Sequence, residues 1–474
     1  MPKFTSGKFV AVIVGIAVVL GAGVYFYLAR RGESLGPHNP VALTIWHNPS
    51  GQTHHAMTEA VERFNRTVGQ KTGVTINVTS VGKYEIFHEK LEMISRGDPA
   101  APEPPDIVIA YPKSAVLLVR KNMLVNFDDY FSGEDLARFI PRFIEEGRLV
   151  DGGLYVFPIG KSTEALFVNR TLFDRFAAAT GTRLEDLATV EGLVEASRKY
   201  YEWTNARTPA PGDGLEFFSI DNPFNFAQVG FAQLGEEFFS GPAMNLSSPV
   251  FRKIWDAAYI PMARGWEATY DGFGSDLAKA GFVVCWTGTT ASITFLPTLM
   301  NYPDNTKEPV SFDILPYPVY RGGRPVAIQR AGGFCLFKST PLRERAAILF
   351  LRWLTAPEEN LRYLGSTGYL PVTREAMQTI MSSIESSEPS ASDSLHGKFL
   401  ALTARMDREY DFHVPKLLDN FGEMEIAFET RLRRAAATAR ERFHSASEGM
   451  GSEEMDDASF AKATAGDYER FISR

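Results

Sequence analysis

The chain has 474 residues, with 49 lysines and arginines against 57 aspartates and glutamates and a formal net charge of -8. At 45% hydrophobic and 22% charged residues it has ordinary globular composition, with length for two or three domains. These figures exclude a disordered or collagen-like chain and a many-span channel, and they lack the basic excess of a nucleic-acid binder.

The first element is apolar. Phe9 to Ala29 reads FVAVIVGIAVVLGAGVYFYLA without a charge, flanked by Lys3 and Lys8 before and Arg30 and Arg31 after. As a helix it spans about 31 Å, the thickness of a bilayer core. Its core is longer than that of a cleaved signal peptide, and FYLARRG offers no small-x-small cleavage site. No cysteine near its end provides a lipoprotein anchor. Residues 1–30 are therefore expected to be an uncleaved signal anchor, with a cleaved signal peptide as the alternative. Residues 31–40 are a polar linker.

Val41–His47 has strand character. A turn cluster (Asn48-Pro49-Ser50-Gly51) follows, then a helix around Thr53–Val68 with Met57, Val61 and Phe64 at helical spacing. Gly73–Val81 alternates as a second strand, and a helix is expected around Tyr84–Ser95. Asp106–Tyr111 (DIVIAY) reads as a buried strand with an apolar helix behind it. Strand–helix alternation of this kind predicts an α/β chain with a parallel sheet wrapped by helices. The middle, Leu184–Asp276, reads mostly as helix with aromatic loops. Strand signals return at Gly281–Trp286, Val310–Pro316 and Ala327–Phe337, and two helices follow, Leu342–Leu354 and one ending near Leu364. Glu423–Arg440 is a helix with a basic face of Arg431, Arg433, Arg434 and Arg440.

Catalytic signatures are missing: there is no GxSxG elbow, Walker A loop, HExxH or kinase set, so no catalytic residue is assigned and no enzyme is expected. His47, His54, His55 and His88 cluster early, but no Asp, Glu or Cys stands at ligand spacing from them, so no metal or other cofactor is expected. Cys285 and Cys335 each sit in an apolar run and read as small buried hydrophobes, with a single disulfide left open.

Seven segments in order carry a family resemblance. They are TIWHNPSGQ (Thr44–Gln52), a helix ending RFN (Arg63–Asn65) followed by GKYE (Gly82–Glu85), PDIVIAY (Pro105–Tyr111), FPIGKSTEALFVNRTLF (Phe157–Phe173), FVVCWTGTTASI (Phe282–Ile293), AGGFCLF (Ala331–Phe337) and TGYLPVTREAM (Thr367–Met377). Their succession resembles the extracytoplasmic solute-binding proteins (family 1) of ABC importers, in the group that includes maltose-binding protein, and among these the glycerol-3-phosphate-binding group most.

The resemblance implies a two-lobed periplasmic-binding-protein fold (type II) with a hinge and an interlobe ligand cleft. The lobes would be residues 41–157 plus 286–332 and residues 158–285 plus 333–474. It implies ligand contacts from Tyr84, Ser162, the loop Gly288-Thr289-Thr290, Gly332, Gly333 and Tyr369. Lys161 and Thr163 would add a charge and a hydroxyl. Trp46, Tyr111 and Trp286 are aromatic candidates for stacking on a sugar or glycerol face. Three departures weaken a phosphate ligand. Pro112 stands where an acidic residue is expected, DNPFNF (Asp221–Phe226) stands where tryptophans are expected, and no arginine matches the phosphate-gripping one, with Lys416 adjacent at best.

The expected role is capture of a small polar solute, glycerol 3-phosphate or a glycerophosphodiester, or a sugar or polyol, and its delivery to an ABC permease. The expected location is periplasmic or extracytoplasmic, as a monomer held on the cytoplasmic membrane by residues 9–29. An anchored ligand-binding module for a sensory system is the alternative.

Overall fold

The computed structural model describes residues 34–47, 51–82, 84–210, 212–386, 394–418, 420–446 and 457–473. The apolar segment 9–29 lies outside the described residues. Among the described residues no helix is long and apolar enough to cross a membrane.

Eight strands form two four-stranded sheets: β1 (Val41–His47), β2 (Val74–Ser80), β3 (Ile107–Ala110), β4 (Glu164–Asn169), β5 (Phe218–Ile220), β6 (Cys285–Thr289), β7 (Phe312–Leu315) and β8 (Gly333–Leu336). The chain divides into two units. Unit 1 takes the chain to Ala137, Gly147–Ile159 and Gly333–Tyr363. Unit 2 takes Arg138–Glu146, Gly160–Gly332 and the chain from Leu364.

Unit 1 is built on the sheet β8-β3-β1-β2. β1 pairs in parallel with β2 and β3, and β8 runs antiparallel to β3. Val41, Leu43, Ile45 and His47 of β1 are buried while Ala42 is exposed, the period-2 alternation of a strand that buries one face more deeply. The expected second helix begins at Gly51 and runs to Phe64, with Met57, Val61 and Phe64 all buried. A π turn at Asn65–Gly69 continues it. The Asn65 amide there both donates to the Ile76 carbonyl and accepts from the Ile76 N–H, each at 2.9 Å, pinning the helix end to β2.

Unit 2 is built on the sheet β7-β4-β6-β5, with β4 antiparallel to both β7 and β6 and β5 parallel to β6. Every residue of β4 is buried, which removes the alternation a half-exposed strand would show. The C-terminal helix is Phe421–Ala446, longer than expected, and it packs on the helix Pro249–Arg264 through edge contacts such as Phe251–Phe428. Of its expected basic face only Arg434 is exposed. Arg433 is buried, and Arg440 is paired with Glu216 at 2.7 Å.

Three expected assignments are corrected, the first being residues 138–146, expected in the first lobe but belonging to unit 2. Residues 286–332 belong to unit 2, because β6 is hydrogen-bonded on both sides within its sheet. Residues 333–363 belong to unit 1, because β8 pairs with β3. The run Ala327–Phe337 is correspondingly two strands. Val326–Ile328 pairs with Asp411–His413 in unit 2 and β8 lies in unit 1, with Ala331 at φ 98 between them. Cys285 and Cys335 are both buried free thiols, on β6 and β8, and burial pushes the Cys335 thiol up to about 12.

Candidate functional site

The strongest concentration of polar chemistry lies within unit 2, at one edge of its sheet. β5 and β6 run the same way and β4 the opposite way, so Glu164 at the start of β4 faces Thr289 at the end of β6. Asp221, just after β5, hydrogen-bonds through its backbone N–H to the Thr287 carbonyl at 3.1 Å. In open α/β sheets ligands bind beyond the carboxyl ends of strands, and β5 and β6 end here.

Glu164 is 1% exposed and anchors the edge. Its Oε1 accepts from Arg330 Nη1 at 2.7 Å and from the Asn225 amide at 2.8 Å. Burial pushes its carboxyl pKa up, against the pull of Arg330. Asn225 sits in the first turn of the helix Pro223–Gln233, whose N-cap is Asn222. Asp221 accepts a 2.6 Å hydrogen bond on Oδ1 from the Gly274 N–H. Burial pushes its carboxyl up to about 7, against that hydrogen bond, and the neighbouring Glu164 charge adds to the rise.

Gly288 is buried between these groups. A side-chain carbon on it would stand 2.6 Å from Asp221 Oδ2 and 3.3 Å from Trp286 Nε1. Trp286 is fully buried, stacked on Phe167 with ring centroids 5.1 Å apart, so it is core of unit 2 and not an open stacking platform. Its indole N–H is nonetheless buried without a hydrogen-bond partner among the described residues. The two threonines separate. Thr289 Oγ1 caps the 3-10 turn Thr290–Phe295, while Thr290 Oγ1 is buried without a partner among the described residues.

Ser162 joins the same edge, paired through its backbone with Arg330. Thr163 does not offer its hydroxyl, which donates to the Ile328 carbonyl at 2.7 Å. Tyr369 is half-buried nearby. Its neighbour Leu370 bridges Lys161, and a side-chain carbon on Gly368 would meet the Thr290 carbonyl at 2.6 Å. Gly332 is half-buried and is the last residue of this segment of unit 2.

Lys161 is not a ligand-facing cation. It is 1% exposed, and its Nζ donates to Glu146 Oε2 at 2.7 Å and to the Ala331 carbonyl at 3.3 Å. Gln329 donates to the same Glu146 oxygen. Segments 138–146, 160–163 and 329–332 thus meet on one buried ion pair. Lys416 donates to the Gly241 carbonyl at 3.1 Å on the surface and supplies no phosphate grip.

The remaining candidates belong to unit 1. Trp46, in β1, is half-buried against the core of Phe87, Leu91 and Val108. Tyr84 is the first residue of the helix Tyr84–Arg96. Tyr111 is the N-cap of the helix Pro112–Arg120, so Pro112, where the resemblance called for an acid, holds the helix position that proline favours. Gly333 has a packing reason: a side-chain carbon on it would stand 2.4 Å from the Phe157 carbonyl oxygen. His47 and His54 stack with nitrogens 2.9 Å apart, and burial, with His54 beside it, lowers the His47 pKa to about 4. Among the described residues no group of three or more His, Cys, Asp or Glu is placed to hold a metal ion.

A family model described as bacterial extracellular solute-binding protein matches residues 59–389. The chain belongs to that family. Members of this solute-binding protein family are transport components without enzymatic activity, and they work outside the cytoplasm. Solved structures share the fold. The cyclic α-maltosyl-1,6-maltose binding protein of Arthrobacter globiformis is 16% identical with a TM-score of 0.64, covering 91% of this chain and 100% of its own. UgpB of Mycobacterium tuberculosis, in complex with glycerophosphocholine, is 16% identical with a TM-score of 0.62, covering 91% and 98%. The maltose/maltodextrin-binding domain MalE of Bdellovibrio bacteriovorus, bound to maltotriose, is 17% identical with a TM-score of 0.58, covering 92% and 100%. No curated protein sequence matches.

Glu164, Asp221, Asn225 and Arg330 of this solute-binding protein were not singled out from its sequence. One signal was legible: Asp221-Asn222-Pro223 is a helix-start signature in which Asn222 makes the cap. That leaves the neighbouring acid free for other work.

Proposed function

We propose that this chain is the solute-binding component of an ABC importer. It captures a small polar solute, a sugar or polyol or a glycerophosphate compound, and delivers it to a membrane permease. The observation that carries the ligand site is the polar edge of unit 2. Ser162, Gly288, Thr290 and Tyr369, expected from the family resemblance, converge there with Glu164, Asp221 and Arg330. A few polar groups converging beyond the ends of sheet strands are what a small-molecule site requires. The uncharged run Phe9–Ala29 supports tethering to the cytoplasmic membrane, and the protein acts as a monomer.

Thermal unfolding against a panel of carbohydrates, polyols and glycerophosphodiesters tests the reading. A ligand at a hundredfold excess over its Kd is expected to stabilise the protein by about 2.7 kcal/mol. A flat response across the whole panel would remove the proposal.

A further inference from the structure

The sheet of unit 2 has a second end. The polar edge lies where β4 starts and β6 finishes, with Glu164 facing Thr289. At the other end β4 finishes at Asn169 and β6 starts at Cys285. The run from Glu164 to Val168 along β4 separates the two ends by about 13 Å. A surface cavity of about 490 Å³ opens at this far end, lined by Leu172 and Arg175 just after β4 and by Gly281 just before β6. Its volume is that of a small-molecule site. The helix Val190–Asn205 supplies its aromatic wall through Tyr200 and Trp203. The Tyr200 ring packs against Phe176 and Phe217, each with centroids 5.3 Å apart, and Trp203 stands 5.8 Å from it.

The polar groups of this cavity are not balanced among themselves. Tyr200 is 5% exposed, yet its hydroxyl makes no hydrogen bond among the described residues. A phenol this buried ordinarily finds a partner. Burial pushes it up to about 12, and Tyr302, Arg207 and Arg175, all in the cavity wall, are the next groups acting on it. It therefore stays protonated at neutral pH and offers the cavity a donor. Arg175 is committed, donating to both oxygens of Glu308. Arg207 is not: its guanidinium lies 4.7 Å over the Trp203 ring and has no ion pair among the described residues. Lys307, on the rim, has none among them either. Asp304 is occupied within its own turn, accepting from the Thr306 N–H and hydroxyl. In a chain of net charge -8, two cations left without acids beside an aromatic wall mark a place for negative charge.

A neutral sugar would leave the two cations unused, and a bare inorganic anion would leave the aromatic wall and the half-exposed Leu215 unused. A carboxylate carried on a flat apolar body uses both. Its oxygens accept from the Tyr200 hydroxyl and the Arg207 guanidinium, and its ring lies against Trp203 and Leu215. We propose that unit 2 carries a second binding site, for a small aromatic carboxylate, at the end of its sheet opposite the polar edge. This site is separate from the solute site and does not depend on that reading.

The test is calorimetric titration of the full chain with phenylacetate, its neutral amide phenylacetamide, and acetate. Phenylacetate is expected to bind, and the other two to bind at least about tenfold more weakly, one for want of charge and one for want of a ring. Arg207→Gln and Tyr200→Phe are each expected to weaken phenylacetate about tenfold. Arg207 is exposed and Tyr200→Phe keeps the packed ring, so both variants are expected to fold. The response to a solute found in the thermal panel is expected to be the same in both variants as in the wild type. Phenylacetamide or acetate binding as tightly as phenylacetate overturns the inference. So do phenylacetate affinity unchanged in both variants, and no phenylacetate binding at about 1 mM. Loss of the panel solute in these variants would show one site instead of two and also overturns it. A failed phenylacetate titration leaves the solute-binding role standing, since that role is decided by the panel.

Discussion

Asp221→Asn is expected to stabilise the protein at pH 8 and leave its stability unchanged at pH 4. The Asp221 carboxyl is pushed by burial from 3.8 up to about 7. Between those values the folded chain keeps a proton that the unfolded chain has released. Stability therefore falls as pH rises from about 4 to about 7, and the loss is complete above that window. At about 1.4 kcal/mol per unit, the cost of the ionised group is on the order of 4 kcal/mol before discounting for its partial solvent contact. Asparagine keeps an acceptor for the Gly274 N–H and has no charge to desolvate. The variant should therefore gain on the order of 2 kcal/mol at pH 8, read by urea unfolding at the two pH values. Glu164 and Glu429 are raised in the same direction, so the wild-type slope across this window is steeper than one group accounts for. A variant equally destabilised at both pH values would show that Asp221 is a structural hydrogen-bonding group only. A gain in stability paired with a loss of affinity is the mark of a carboxylate retained for its ligand.

Lys161→Met is expected to cost about 3–5 kcal/mol, the range for leaving one member of a buried ion pair alone. Glu146 is 8% exposed, and its Oε2 serves both Lys161 and Gln329. Removing the ammonium leaves a buried acid supported by an amide alone. A double variant, Lys161→Met with Glu146→Leu, should recover much of the loss, because replacing both charges with apolar groups removes the desolvation cost as well as the attraction. Urea unfolding of the two variants beside the wild type measures this directly. If Lys161→Met keeps its stability and loses ligand affinity, Lys161 is the ligand-facing cation its neighbourhood in the sequence suggested.

The reason Lys161 was misread is physical. A lysine beside Ser162 and Thr163 carries no local sign of its partner, since Glu146 reaches it only through the fold. Elements whose evidence is local were legible. The alternation of β1, the spacing of Met57, Val61 and Phe64, and the apolar DIVIAY strand all describe residues a few positions apart. β4 was not legible as a strand, because burial on both faces erases its alternation. Nor was the division of 286–363 between units. It depends on β8 pairing with β3, which lies more than two hundred residues earlier. At the site, Gly288, Thr290 and Ser162 followed from family resemblance. Asp221 and Glu164 were missed because each gains its role from distant partners: Gly274 and Gly288 for the first, Arg330 and Asn225 for the second. Trp286 was read as an aromatic surface. Its ring is core, and its N–H is what remains for chemistry.

Native mass spectrometry of the full chain as purified, followed by release and fragmentation of any bound molecule, tests the central claim most directly. The expected result is a single non-covalent adduct that fragments as a sugar, a polyol or a glycerophosphate compound and is lost from the Asp221→Asn variant. A bound molecule of another class, or an adduct held equally by Asp221→Asn, would contradict it.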